Sequence, residues 1–397
     1  MIRVLANRIA QDYLKLSKRL DPYVRDAFDD TLKAPLSNLT QDVIRTLYQA
    51  KQLARHEPAL ELAEEKPLPD EEALIQAITD KMNRFLQREY QETGRIAERA
   101  GNTKTYGLVK ARFEIHNTLP KGYRVGLFRE THSYPAYVRF AGPGPRVTPD
   151  IDNNGILSMG VKLMEVPGNK LMADETNTLD WLGISCPTFT TPDIRANSVL
   201  QKEIGRGTPA WYFLNPLDPH WLDAIMQGLY ARAHANPLEL RYFSCVPYLW
   251  GRRKAMKFAF TPLSEIRSSV GEVTPDYLRE AMIETLSESE VAFDVGVQLQ
   301  TDPKRMPIED ASVEWSEKES PFVSVATLRI PKQTFDSEKQ LTFARKLTFN
   351  PWHTIASHRP LGNQNRARKV VYQKTAQMRQ AINGEAHVEP TGRERFA

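Results

Sequence analysis

Phe293-Asp-Val-Gly-Val-Gln-Leu299 places an apolar residue at every second position, the period of a strand with one wet face. Segments of similar texture recur at 108–115, 134–140, 157–164, 241–248, 254–261, 311–316 and 322–330. Long, proline-rich connections separate them, without the regular helical crossovers that a parallel sheet requires. The span from about 107 to 330 therefore reads as an antiparallel barrel or sandwich rather than a doubly wound sheet. Helices are expected on both sides of it, which makes the chain α+β. Leu39, Val43, Ile44, Leu47, Ala50 and Leu53 recur at helical spacing, and so do Leu74, Ile75, Ile78, Met82, Phe85, Leu86 and Tyr90. Asp70 is placed to cap the second of these, with Glu71 and Glu72 in its first turn. The acidic, proline-containing stretch 57–69 reads as a linker between them. A last helix runs from about Asn365 to Asn383, where Gly384 is placed to stop it.

The expected division is a helical extension over 1–90, a barrel domain with its C-terminal helix over 91–384, and a tail over 385–397. No chemistry is visible in the extension, for which packing or a homo-oligomer contact is the default role. Composition narrows the function. With 41% hydrophobic and 26% charged residues the chain has the mix of a soluble globular protein, and it contains no apolar run long enough for a membrane span. The first residues offer no signal-peptide core, so a cytoplasmic location is expected. A net charge of +4 over 397 residues, without a basic stripe, argues against nucleic acid. In the basic group Arg366, Arg368, Lys369 and Lys374, the two lysines read as a solvated helix face, and Arg368 does not. Cys186 and Cys245 alone, without ligand spacing, argue against structural zinc.

The chemistry concentrates in Phe349-Asn-Pro-Trp-His353, His358-Arg-Pro-Leu-Gly362 and Asn365-Arg-Ala-Arg-Lys-Val-Val-Tyr372. Arg368 and Tyr372 lie four apart on a helix and share a face. A guanidinium beside a phenol favours the phenolate, a hard oxygen ligand suited to ferric haem. Alone, Arg-x-x-x-Tyr is a common packing pair.

In company it is more. The terminal block, together with Tyr134-Pro-Ala-Tyr-Val-Arg-Phe140, Met159-Gly-Val-Lys-Leu163, Cys186-Pro-Thr-Phe189, Pro192-Asp193, Pro307-Ile-Glu-Asp310 and Trp315, resembles the catalase-related haem proteins. These are the small catalase-like proteins, relatives of the catalase-type allene oxide synthases, and the likeness runs from about 95 to 383. The resemblance implies a catalase-type antiparallel barrel wrapped by helices and a haem b cofactor. It makes Tyr372 the iron ligand, Arg368 its charge partner, and Arg99 and Arg139 the arginines of the haem propionates. Phe189 becomes part of the distal wall.

The chain departs from that pattern where catalase chemistry is done. The run Arg99-Ala-Gly-Asn-Thr-Lys104 carries Asn102, or Thr103 with a one-residue slip, where the family has histidine. Ser185 stands in the place assigned to the distal asparagine, and Ala141 in that of a serine. An amide cannot move a proton near neutral pH, and losing a general base costs roughly 10²–10⁴-fold in rate. His116, His132, His220, His234 and His353 read as structural histidines. Fast catalase activity is not expected. Two readings stay open: a haem enzyme acting on an organic (lipid) hydroperoxide or another small molecule through Asn102 and Ser185, or a non-catalytic haem sensor or store.

Overall fold

A computed structural model of the chain describes residues 2–28, 43, 46–47, 50, 60–153, 155–231 and 233–396. Its strands are β1 (Thr105–Ile115), β2 (Ser133–Ala141), β3 (Ser158–Leu163), β4 (Leu179–Ile184), β5 (Tyr242–Phe243), β6 (Tyr248–Leu249), β7 (Ala255–Pro262), β8 (Val291–Leu299) and β9 (Val323–Ile330). They pair in the order β5-β4-β3-β2-β1-β9-β8-β7-β6, every pair antiparallel. Tyr242 and Phe243 of β5 also pair with Phe260 and Ala259 of β7. That contact closes eight strands into a barrel, which removes exposed sheet edges, and leaves β6 at the rim.

Alternation decides what each barrel strand does. Val109 and Phe113, Val138 and Phe140, Met159 and Val161, Trp181, Phe258 and Phe260, and Phe293 to Val297 at odd positions all turn into one buried cluster. Trp181 stacks on Phe258 with ring centroids 4.4 Å apart, so side chains fill the barrel interior. The opposite face of β2–β4 carries Arg139, Gly160 and Leu182, which lie in register across the three strands.

Three segments differ from the sequence expectation. The expected strand over 241–248 is reduced to the two-residue pieces β5 and β6, with 244–247 outside strand geometry between them. β4 was not anticipated, because in Leu179-Asp-Trp-Leu-Gly-Ile184 the apolar Leu182 and Ile184 share a face with Asp180 and break the alternation; Asp180 is itself buried against Lys162. The expected strand over 311–316 is irregular. Asp310 Oδ1 accepts the Ser312 backbone N–H at 3.0 Å and its hydroxyl at 2.5 Å, turning the chain out of extended geometry.

Around the barrel lie α1 (Ile2–Phe28), α2 (Glu71–Leu86), α3 (Ile194–Gly205), α4 (Trp211–Leu214), α5 (Trp221–Tyr230), α6 (Tyr277–Glu288), α7 (Glu338–Lys346) and α8 (Asn363–Asn383). The helix expected over 39–53 lies outside the described residues apart from isolated positions. Gly384 ends α8 in the left-handed conformation, as expected. At its start Gly362 has φ +85°, and a Cβ there would sit 2.5 Å from the Ile308 carbonyl oxygen, so only glycine fits. α2 does not form a layer of its own: Ile78 packs with Ala367 and Val371, and Leu86 and Tyr90 with Met378 and Ile382 of α8. Asp70 makes no cap bond and pairs with Arg195. Arg366 is held by Glu65, Glu71 and Glu309, so Glu65 ties the described part of the expected linker, 60–69, to α8 by charge.

Candidate functional site

α8 presents Asn365, Arg368, Tyr372 and Arg379 along one side, as spacings of three, four and seven residues require. The Arg368 Nε donates to the Tyr372 hydroxyl at 3.2 Å, and its Nη1 to Asn365 Oδ1 at 2.9 Å. Asn365 in turn donates to the Pro247 carbonyl, which fixes the whole row against the barrel rim. Burial works against the Arg368 charge, but the Tyr372 and Tyr248 phenols outweigh it and hold its pKa above the ordinary value. The expected Arg368–Tyr372 pair is therefore formed.

Further along α8, Arg379 meets Arg99 and Arg139. Arg99 donates to the carbonyls of Ala344 and Leu347 at 2.8 and 2.6 Å, and Arg379 to those of Lys346 and Leu347 at 3.3 and 3.2 Å. Arg139 donates to Thr105 Oγ1 and to the carbonyls of Asn102 and Thr103. Among the described residues no carboxylate forms an ion pair with any of the three; Glu98 acts on all of them, and Glu385 on Arg379, only at longer range. Burial pushes Arg139 down to about 9 and Arg379 to about 10, and burial with its two arginine neighbours holds Arg99 well below its usual value. Arg99 Nη1 and Arg379 Nε are buried without a partner. Buried charges are ordinarily paired at contact, whereas the acids near this cluster act on it only from beyond ion-pair distance. Arg379 was missed in the sequence; its signal was its place seven residues after Tyr372, on the same helix face.

The distal positions are placed less openly. Asn102 sits in a loop with φ +46°, its carbonyl bound by Arg139. Ser185 follows β4, and its hydroxyl accepts the Leu157 N–H at 3.0 Å. Strand alternation puts Ile184, not Ser185, on the face shared by Leu182 and Gly160, a point that sequence reading missed. Phe189 packs half-buried against the barrel core, with its N–H on the Ala311 carbonyl.

Tyr372 also lines a cavity of about 90 Å³ with Phe349, Asn350, His353, Gln377 and Gln380. Phe349 closes it toward the sheet, since a Cβ on Gly160 would meet the Phe349 ring at 3.2 Å. Ligand pockets ordinarily run to roughly 300–1,000 Å³, so a large planar ligand enters only if Phe349 draws back. Beside the cavity His353, Glu175 and Asp180 lie close enough to share a cation. The Lys162 ammonium already bridges the two carboxylates, and His353 Nδ1 lies 2.9 Å from Asp180. The other histidines are structural in their contacts: His116 on Thr327, His220 on Asp223 and His234 on the Gly155 carbonyl.

No family model and no curated protein matches the sequence. Solved structures do. A fungal catalase superposes with TM-score 0.58 at 16% identity, covering 82% of this chain and 66% of its own. Catalase A from Saccharomyces cerevisiae gives 0.58 at 15%, covering 85% and 73%, and a bacterial catalase 0.55 at 14%, covering 85% and 67%. The chain has the catalase fold. It spans about two thirds to three quarters of the length of those catalases, and identities this low carry the fold alone.

Proposed function

We propose that this catalase-fold chain binds haem b between α8 and the outer face of β2–β4, and acts on an organic hydroperoxide rather than on hydrogen peroxide. The observation that carries the reading is the Arg99–Arg139–Arg379 cluster, without a carboxylate at ion-pair distance, in which Arg379 comes from the helix that also presents Arg368 and Tyr372 and Arg139 from β2. Arg379 lies seven residues from Tyr372, roughly 10 Å along the helix axis. That spacing suits a ligand with a metal at one end and two carboxylates at the other, and the two unpartnered guanidinium nitrogens suit its carboxylate oxygens.

In this reading the Tyr372 oxygen ligates iron, while Arg368, donating to that oxygen, steadies its position. Arg99, Arg139 and Arg379 hold the propionates. Haem held by these residues would supply iron redox chemistry toward a peroxide bond. The chain's own contribution on the distal side is small. The Asn102 carboxamide can donate or accept a hydrogen bond but cannot shuttle a proton near neutral pH. Ala141 and Ile184 offer nothing, and the Ser185 hydroxyl, which accepts the Leu157 N–H, keeps only its own O–H to donate. Homolysis of an organic O–O bond asks for a hydrogen bond more than for a base, and Asn102 is able to supply one.

A second reading, haem storage or sensing without turnover, draws on the small size of the cavity and on the absence of a base among the distal positions. One experiment separates the two. The haem-loaded protein is given hydrogen peroxide, followed by oxygen evolution, and a fatty-acid hydroperoxide, followed by loss of the hydroperoxide. We expect slow oxygen evolution and saturable consumption of the lipid substrate. Inertness toward both supports storage, and rapid oxygen evolution overturns the proposal.

A further inference from the structure

The chain does not end with α8. Beyond Gly384 the tail, described over 385–396, turns back over the outside of the barrel and is fastened there by side chains. Among the described residues no backbone group after Glu385 bonds to another backbone group. Glu389 Oε1 accepts the backbone N–H groups of Thr176 and Asn177 at 2.7 and 2.6 Å. The Glu394 carboxylate accepts the Tyr137 hydroxyl at 2.7 Å, and its carbonyl accepts the Lys110 ammonium at 2.8 Å. The Phe396 ring packs against Tyr137 and Phe343, with centroids 6.3 and 5.2 Å away. Gly392 has φ +79°, and a Cβ on it would stand 3.4 Å from that of Pro135, so the tail lies directly on β2.

Two of these fastenings bear on the cavity at Tyr372. His387 is part of its wall, with Nε2 3.6 Å from the buried Glu175. The remaining wall is α8, Asp174 and the 348–353 turn. That turn is locked to the body of the fold: the Asn350 N–H donates to Asp180 at 2.9 Å, and the Trp352 indole to the Asn365 carbonyl at 2.7 Å. The tail is the part of the wall outside every helix and sheet ladder, and segments of that kind open at a fraction of the cost of global unfolding. At its far end Phe396 packs against the apolar cluster of Leu108, Tyr137, Met164, Ala344 and Leu347. Phe349, which closes the cavity toward the sheet, packs against the same cluster. Lifting Phe396 therefore bares apolar surface on the cluster that Phe349 shares.

We propose that residues 385–396 form a strap that closes the Tyr372 cavity, and that its release both opens the wall at His387 and lets Phe349 draw back. What enters is haem on the reading given above; the strap itself does not rest on that reading.

The full chain carrying Gly392→Cys and Pro135→Cys tests it. Their Cβ atoms would stand near the ~3.8 Å separation of a disulfide, and the Met164 methyl, 2.9 Å from the new Cβ, ends a flexible side chain. Cys186 and Cys245 are buried, so the engineered pair is the one that oxidises. Oxidised and reduced forms of this one protein are compared, which cancels any effect of the substitutions themselves. Without haem, hydrogen exchange at Thr176 and Asn177, the amides held by Glu389, should be about 10-fold slower or more in the oxidised form. Ferric haem uptake, followed at the Soret band in stopped flow, should slow by about 10-fold or more on oxidation and recover on reduction. In the otherwise unaltered chain Phe396→Ala should act the other way, speeding uptake about 3-fold or more. Equal exchange in the two forms would mean that the tail does not open as a unit, and equal uptake that the ligand enters elsewhere; either overturns the proposal. An unchanged rate in Phe396→Ala overturns the link to Phe349. A chain that takes up no haem in any form sinks the haem reading instead, and the exchange experiment then decides the strap on its own.

Discussion

Replacing Arg379 with methionine should stabilise the haem-free protein and weaken its hold on haem, two effects of opposite sign from one side chain. Arg379 is almost fully buried, and burial brings its pKa down to about 10. A fall of that size corresponds to about 3 kcal/mol against the folded state. The sign follows from linkage: a base with a depressed folded pKa is penalised wherever it is protonated, so the cost is fully present below pH 10 and eases only above it. Methionine removes the charge and fills much the same volume. It also removes two long hydrogen bonds to the Lys346 and Leu347 carbonyls, together worth roughly 1–2 kcal/mol. The net gain should be about 1 kcal/mol, read as a higher urea midpoint with an unchanged slope, and it should be flat between pH 6 and 9. Haem binding loses a charge-assisted contact worth roughly 1.5–3 kcal/mol, or about 10- to 100-fold in affinity by Soret titration. An apo-protein made less stable by the substitution, with haem affinity unchanged, would refute the reasoning and make Arg379 a structural residue.

Other consequences are nearer the site. Phe349→Ala should speed haem uptake in stopped-flow mixing at least severalfold, because Phe349 closes the space over Gly160; an unchanged rate would place the barrier elsewhere. Asn102→His should raise oxygen evolution from hydrogen peroxide about 10-fold or more by supplying a base, and position 102, with φ +46°, is of a kind that histidine tolerates. Absence of any gain would mean that the loop does not face the iron. For His353, burial and Lys162 oppose protonation, but bonds to Asp174 and Asp180 raise its pKa to about 9. A raised pKa makes its contribution complete below about pH 6.5 and lost as pH passes 9. The urea midpoint should fall across that window, and His353→Gln should flatten the fall.

The fold was legible where a strand has one dry face and one wet one. Phe293–Leu299 announced an antiparallel barrel because its alternation is clean, whereas β4 was hidden by Asp180, a carboxylate buried on a Lys162 partner 18 residues away. The 311–316 segment alternated convincingly, yet the Asp310 side chain captures its backbone, a local competition that period alone does not register. On α8 the Arg368–Tyr372 pair could be read from a spacing of four. Arg379 obeys the same geometry two turns on, but its meaning lies in the missing carboxylate, and an absent partner leaves no mark in a sequence. Ser185 was chosen by distance from Pro187. The register of β4 shows that Ile184 shares the face of Leu182.

The central claim is that Tyr372 and the arginine cluster hold haem. Ferric haem titrated into the purified chain, followed by absorbance from the Soret band to 700 nm, tests it most directly when the unaltered protein, Arg368→Leu and Tyr372→Phe are compared. The account predicts saturation at one haem per chain with a tyrosinate-type ferric spectrum, a shifted spectrum with modestly weaker binding in Arg368→Leu, and a sharp loss of bound haem in Tyr372→Phe. Failure of the unaltered chain to saturate, or the same spectrum and occupancy in Tyr372→Phe, would contradict it.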